Sequence, residues 1–195
     1  ESDVIPQGVA WIKDAAKSVD PKHRIITLKG GGTIGYEYLV VATGIQLDWG
    51  KIPGLNKALE TPYASSNYSY DLAPKTWNMI ENLRAGTAVF TMPSNPIKCG
   101  GAPQKIAYLA ADYWRQQGVL GDIRVVLVLP SAAMFGVEVF SRELEKVASR
   151  YGIEVRLGSE VTSISSESKT LTISATDGAN EEELHYDFLH AVPPQ

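Results

Sequence analysis

Cysteine is nearly absent: Cys99 stands alone among 195 residues. One cysteine cannot close an internal disulfide, so this is not a disulfide-stapled scaffold. Long apolar runs are missing too. Runs such as Val125 to Leu129 fall far short of the ~20 residues a membrane-spanning helix needs. No basic stripe exists, and the net charge is −4, which argues against a nucleic-acid partner. His23, His185 and His190 lack metal-ligand spacing, and Glu181-Glu182-Glu183 reads as a solvated turn edge, so no metal site is predicted. What remains is 44% apolar and 21% charged residues, enough for one or two ordinary globular domains with a real core.

The most informative stretch runs from Pro96 to Lys105 and holds Cys99. Before it, Thr87 to Met92 is a short β-rich apolar run. After it, Ile106, Leu109, Ala110, Tyr113 and Trp114 follow a helical period, with Pro103 in the first turn and Gly118 as the stop. Cys99 is thus predicted in a strand-to-helix turn ahead of a helix N-terminus. Gly100 and Gly101 follow it, and Lys98 and Lys105 flank it. Partial positive charge from the helix end and two ammonium groups favour a thiolate. The plainer readings are a small buried apolar thiol and two solvated lysines.

Around that turn the chain falls into a pattern. Val9–Lys13 reads as extended, and Arg24–Leu28 as a strand after a turn at Asp20-Pro21. Gly30 to Gly35 fits the G-x-G-x-x-G dinucleotide motif. That motif must open a helix, but β-formers follow, so it is predicted to be a hairpin turn. Tyr38–Ala42 reads as a buried strand ending at Thr43-Gly44, where a ligand could rest against backbone. Residues 45–70 carry prolines and serines and read as a connector. A helix is predicted over 72–84, capped by Asp71, with Trp77, Ile80 and Leu83 inward. Strands at 87–92, 123–129 and 153–157 alternate with helices at 103–117 and 138–150, which implies parallel βαβ units. Strands at 160–166, 169–175 and 183–186 then form an antiparallel meander, and Phe188–Val192 returns to the sheet. The fold class is α/β: a Rossmann-type βαβ domain with an antiparallel meander, plus part of a flavin-type lobe. The division expected is 1–70 for the tail of that first lobe and 71–195 for the cysteine-bearing lobe.

Several of these stretches resemble one family. Tyr38 to Gly44, the Ile52-Pro53-Gly54 loop and the following βαβ unit are similar to flavoproteins with two dinucleotide-binding domains. Gly44 to Asp48, Ser66 to Ser69, Phe135 to Val137, His190 to Pro194 and above all Pro96 to Ile106 resemble the eukaryotic-type branch of the sulfide:quinone oxidoreductases. The likeness spans nearly the whole chain. It implies FAD as cofactor, sulfide and quinone as small-molecule substrates, and a redox cysteine pair of which Cys99 is the first. The partner cysteine would lie beyond Gln195 and the pyrophosphate-binding βαβ unit before Glu1. Ala16 falls at the adenine end of the family's meander, Thr43 and Gly44 at its flavin-binding strand end, and Lys105 near the flavin ring. Peripheral attachment to a bacterial or mitochondrial inner membrane is expected of the full-length protein.

NADH-using relatives need a glycine-rich turn after the first strand of the second domain and an acid ending its second strand. Here those places hold Pro93 to Cys99 and Leu129-Pro130-Ser131. Chain ends without an initiator Met and on a strand-like Leu189–Val192 read as an internal piece of a longer protein. Taken alone, it is expected to hold no FAD and to turn nothing over. The alternatives are a non-catalytic scaffold domain of a FAD-dependent pyridine nucleotide-disulfide oxidoreductase, and a flavin-dependent sulfide dehydrogenase or NADH:quinone oxidoreductase relative. A cysteine hydrolase would need a histidine base near Cys99, and no histidine lies in a segment that plainly faces that turn.

Overall fold

Why strands and helices alternate in the second half is visible in the backbone. A computed structural model describes residues 4–94 and 96–195, so Glu1 and Asn95 of the cysteine turn lie outside the described residues. The chain divides into two compact units, Glu1–Gly44 and Ile45–Gln195.

The first unit is a small antiparallel sheet of β1 (Ala16–Asp20), β2 (Ile25–Leu28) and β3 (Thr33–Gly35), in that order. Asp20 shapes the first turn: its carboxylate accepts the N–H groups of Lys22 and His23, both at 3.0 Å. The glycine run makes the second turn. Leu28 N–H donates to Gly32 O at 2.8 Å, and Gly31, at φ 93, donates back to Leu28 O. Gly30–Gly35 is therefore a hairpin and opens no helix. The strand predicted at Tyr38–Ala42 does not form, and Tyr38 and Val40 are 93% and 88% exposed. A run of β-formers needs a neighbour to hydrogen-bond with, and among the described residues it has none. Val9–Lys13 is likewise irregular; the first strand comes later, at β1.

The second unit is built on a parallel sheet in the order β4-β11-β5-β6-β7. Its strands are β4 (Ala64–Ser65), β5 (Gly86–Thr91), β6 (Ile123–Val128), β7 (Glu154–Arg156) and β11 (Phe188–His190), with all pairs parallel. Helices α2 (Ala73–Asn82), α3 (Ala102–Gln116) and α4 (Glu138–Tyr151) connect successive strands. Gly152 ends α4 in the left-handed conformation, the usual use of glycine there. One core, on the helix side, joins Phe90, Trp114, Val125, Leu127 and Phe188. The indole of Trp114 donates to Ile80 O at 2.8 Å, tying α3 to α2. A second core lies on the opposite face, with Val89, Val126, Val128 and Leu189 against the meander β8 (Ser159–Ser165), β9 (Thr170–Ala175) and β10 (Glu181–His185).

Residues 45–70, read as a connector, carry a helix, α1 (Leu55–Glu60), and strand β4, and both contribute to the second core. Asp71 does not cap α2; Leu72 occupies that place without a side-chain bond. Trp77 is 49% and Leu109 58% exposed, so each lies off its helix's buried face.

Two backbone junctions hold the unit together. Pro53 O accepts Ile164 N–H at 2.8 Å, and next to it Gly54 has φ 85. A Cβ on Gly54 would sit 1.7 Å from Ile164 O, so only glycine fits. At the other junction Asp187 N–H donates to Thr87 O, and the Asp187 carboxylate accepts Thr87 N–H at 2.9 Å. That hydrogen bond holds the Asp187 carboxyl below its ordinary pKa.

Gly54→Ala should destabilise the fold by at least about 2 kcal/mol in denaturant titration, since strained φ alone costs about 1–3 and the clash adds to it. A depressed folded-state pKa contributes stability above the unfolded value and loses it as pH falls through the folded value. Asp187→Asn should therefore lower the melting temperature near neutral pH and converge with the parent in acid. A constant difference across that range would show that the charge is not responsible.

Candidate functional site

The turn between β5 and α3 opens the crossover from β5 to β6. It delivers Cys99 two residues ahead of Gly101, the cap of α3, with Pro103 in the first turn. Cys99 adopts φ 66, a left-handed conformation unusual for a residue with a β-carbon. Its carbonyl accepts Ala102 N–H at 3.1 Å, which closes the turn onto the helix. A Cβ on Gly100 would meet nothing within 4 Å, so the backbone here is open to close approach. The thiol is exposed, not the buried apolar group that a lone cysteine commonly is.

Cys99 lines a pocket of about 440 Å³ with Ile45, Leu47, Asn67, Tyr68, Lys98 and Ala102. That size falls within the range of small-molecule sites. Ile45, Leu47 and Ala102 give it apolar wall; Lys98, Tyr68 and Asn67 supply donors. The predicted pair of lysines separates: Lys98 shares the pocket, whereas Lys105 lies exposed on α3 and is not in its lining. Lys98 N–H is held by Gln195 Oε1 at 2.7 Å.

Tyr68 was not singled out by periodicity or spacing. Its hydroxyl oxygen is shielded from solvent and has no hydrogen-bond partner among the described residues. Burial, and secondarily the charge of Cys99, push the phenol up to about 12. Tyr68 therefore keeps its proton at neutral pH, in the lining of the same pocket as Cys99.

The strand that carries Tyr68 and Asn67 into place is pinned from below. Ser65 Oγ donates to Leu72 O at 3.0 Å, and Thr76 Oγ1 donates to Ser65 Oγ at 2.9 Å. Ser66 Oγ accepts Tyr68 N–H at 3.3 Å. Asn67 contacts His190, the last residue of β11. The only signal of these residues in the sequence was the resemblance of Ser66 to Ser69; nothing local marks them as neighbours of Cys99.

Ala16, Thr43 and Gly44 belong to the first unit. Ala16 lies on the exposed face of β1. Gly44 has φ 76, and a Cβ there would meet nothing within 4 Å. Among the described residues no His, Cys, Asp and Glu cluster could hold a metal ion, and no helix is long and apolar enough to cross a membrane.

The phosphate-cradling features of a nucleotide site are absent from this crossover. The segment from Pro93 to Cys99 has no glycine, and the chain leaves β6 through Leu129, Pro130 and Ser131 without an acid.

Comparison with known proteins agrees with this geometry. The chain is 38% identical over its whole length to a mitochondrial sulfide:quinone oxidoreductase of Dictyostelium discoideum, of which it covers 43%. It is 33% identical over 98% of its length to the mouse protein of that name, again covering 43%. It thus spans less than half of these curated relatives. The sulfide:quinone oxidoreductase structure from the hyperthermophilic bacterium Aquifex aeolicus superposes on 94% of this chain and 42% of its own, with TM-score 0.72 and 20% identity. At that identity the likeness is one of fold. The family model for pyridine nucleotide-disulphide oxidoreductases matches residues 1–191. A parallel sheet with an antiparallel meander and a family match across nearly every residue lead to one conclusion: this chain belongs to the pyridine nucleotide-disulphide oxidoreductases.

Proposed function

We propose that this chain is the cysteine-bearing part of a FAD-dependent sulfide:quinone oxidoreductase, with Cys99 as one of its two redox cysteines. The observation that carries the reading is the exposed Cys99 in a donor-lined pocket, at the crossover where a nucleotide-binding relative would hold phosphate. The lobes are assigned as 1–70, completing a flavin-binding lobe, and 71–195, carrying the sulfur chemistry.

Hydrosulfide attacks the disulfide joining Cys99 to its partner cysteine, which is not in this sequence. The S–S bond breaks; one sulfur becomes a persulfide, the other leaves as thiolate, and the proton of hydrosulfide passes to solvent. A nucleophilic acceptor then takes the outer sulfur, leaving two thiolates. Their rejoining as a disulfide releases two electrons, a pair that a bound flavin would accept and hand on to quinone. The residues of this chain manage charge on sulfur. Lys98 provides a cation, Tyr68 a protonated hydroxyl, and Ile45 and Leu47 an apolar wall. Lys105 is assigned near the flavin ring, Thr43 and Gly44 to the flavin-binding end of their segment, and Ala16 to the adenine end. The relatives' mitochondrial names and the quinone substrate favour peripheral attachment to the mitochondrial inner membrane.

In the complete enzyme, Cys99→Ser should abolish sulfide-dependent quinone reduction and leave the flavin spectrum in place; turnover by that variant would refute the assignment. Tyr68→Phe should slow sulfide-dependent flavin reduction about tenfold at unchanged flavin content, as expected for one hydrogen bond to a charged group. An unaltered rate would remove Tyr68 from the site. The 195-residue chain alone should purify colourless, and bound flavin would show that its own residues suffice.

A further inference from the structure

Gln104 is a buried amide in the first turn of α3, only 1% exposed. A carboxamide carries two N–H donors and an acceptor oxygen, and burial requires that they be used. All of them are. Nε2 donates to Met134 O at 2.6 Å and to Gly100 O at 3.2 Å, and Oε1 accepts the hydroxyl of Tyr108 at 2.8 Å. This orientation of the amide is forced. Turned over, its oxygen would face two carbonyls, neither of which can donate. Burial pushes the Tyr108 phenol up to about 12, so it keeps the proton that it donates.

The two carbonyls lie in different crossovers. Gly100 directly follows Cys99, and Met134 stands between β6 and α4. Met134 is itself fixed, since its N–H donates to Ser141 Oγ of α4 at 3.1 Å. Cys99 is left-handed at φ 66, whereas neither Gly100 nor Gly101 is. The chain thus puts a side chain where glycine would be unstrained. A left-handed residue with a β-carbon persists only when its surroundings impose it. Ala102 N–H on Cys99 O closes the turn, and the Gln104 side chain holds the next carbonyl along, that of Gly100.

We propose that Gln104 is a positioning residue for Cys99: by tying Gly100 O and Met134 O to one buried amide, it holds the cysteine turn in its left-handed shape and fixes the backbone that carries the thiol. Its value to turnover rests on the redox reading of Cys99, because a small displacement of a reacting group slows chemistry steeply. Its grip on the turn does not rest on that reading. The contact is made to backbone, so it persists whatever side chain stands at position 99.

The complete enzyme carries the test in two arms. In the first, Gln104→Met and Gln104→Leu remove both donations, whereas Tyr108→Phe removes only the bond to Oε1. Each Gln104 variant should slow sulfide-dependent flavin reduction about tenfold at unchanged flavin content. Tyr108→Phe should stay within about twofold of the parent rate while its melting temperature falls. A parental rate in either Gln104 variant, or equal slowing by Tyr108→Phe, would overturn the proposal. The second arm compares the melting temperatures of Cys99→Gly and Cys99→Ala, with Gln104 in place and in the Gln104→Met background. Alanine is strained by a left-handed backbone and glycine is not. With Gln104 in place, Cys99→Gly should therefore melt above Cys99→Ala. With Gln104→Met the order should reverse, since in a relaxed turn the freedom of glycine in the unfolded chain counts against it. The same order in both backgrounds overturns the proposal. If the parent enzyme does not reduce flavin with sulfide, the redox reading fails by itself, and the melting order alone decides the positioning role. Failure of both Gln104 variants to fold also overturns it, because the amide would then be holding the fold and not the turn.

Discussion

Strand β11 slotting between β4 and β5 is the contact on which the second unit depends. It is only Phe188–His190 long, yet it pairs on both edges. It carries Leu189 into the second core and Phe188 into the first. Just before it, Asp187 clasps Thr87 at the start of β5; just after it, Val192 N–H donates to Thr91 Oγ1 at the end of β5. Three residues thus close the sheet, bridge both faces and fix the ends of the strand that leads into the cysteine turn. A strand so short gains little from its own propensity. Its stability comes from being buried on both faces, as parallel strands commonly are.

The parallel architecture also explains the site's position. Crossovers from the ends of parallel strands gather on one side of the sheet, and ligands settle outside those ends. The family places nucleotide phosphates there. In this chain the crossover from β5 to β6 holds a cysteine in a left-handed turn, and β6 ends without the acid that would hold a ribose.

Much of this was legible in the sequence, for identifiable reasons. Helices α3 and α4 and strands β5 and β6 are long enough for periodicity to show, and glycines and prolines mark their ends. The glycine run at 30–35 was readable as a hairpin because β-formers followed it. Helix α1 and strand β4 escaped because six and two residues are too few to establish a period. Tyr38–Ala42 misled because β-propensity measures fit to a sheet, and no neighbouring strand pairs with it among the described residues. Trp77 was placed inward on spacing that did not define its helix's buried face. At the site, Cys99 was visible through the helix that follows it. Tyr68, Asn67 and His190 showed only inside stretches that resemble the family; Asn67 and His190 meet from the loop after β4 and from β11, and no local pattern encodes a meeting across 123 residues.

That separation bears on how the molecule comes into being. Contacts between distant parts of a chain form only after a large loss of chain freedom, and parallel pairings of this kind are slow. The insertion of β11 joins residues near 188 to those near 64 and 88, so it cannot occur until almost all of this chain has been made. His190 arrives with that strand and fastens Asn67 only then. Cys99 is present from the moment it is synthesised, but its organised surroundings are an outcome of the final docking. A chain stalled before that step would carry the cysteine without the pocket.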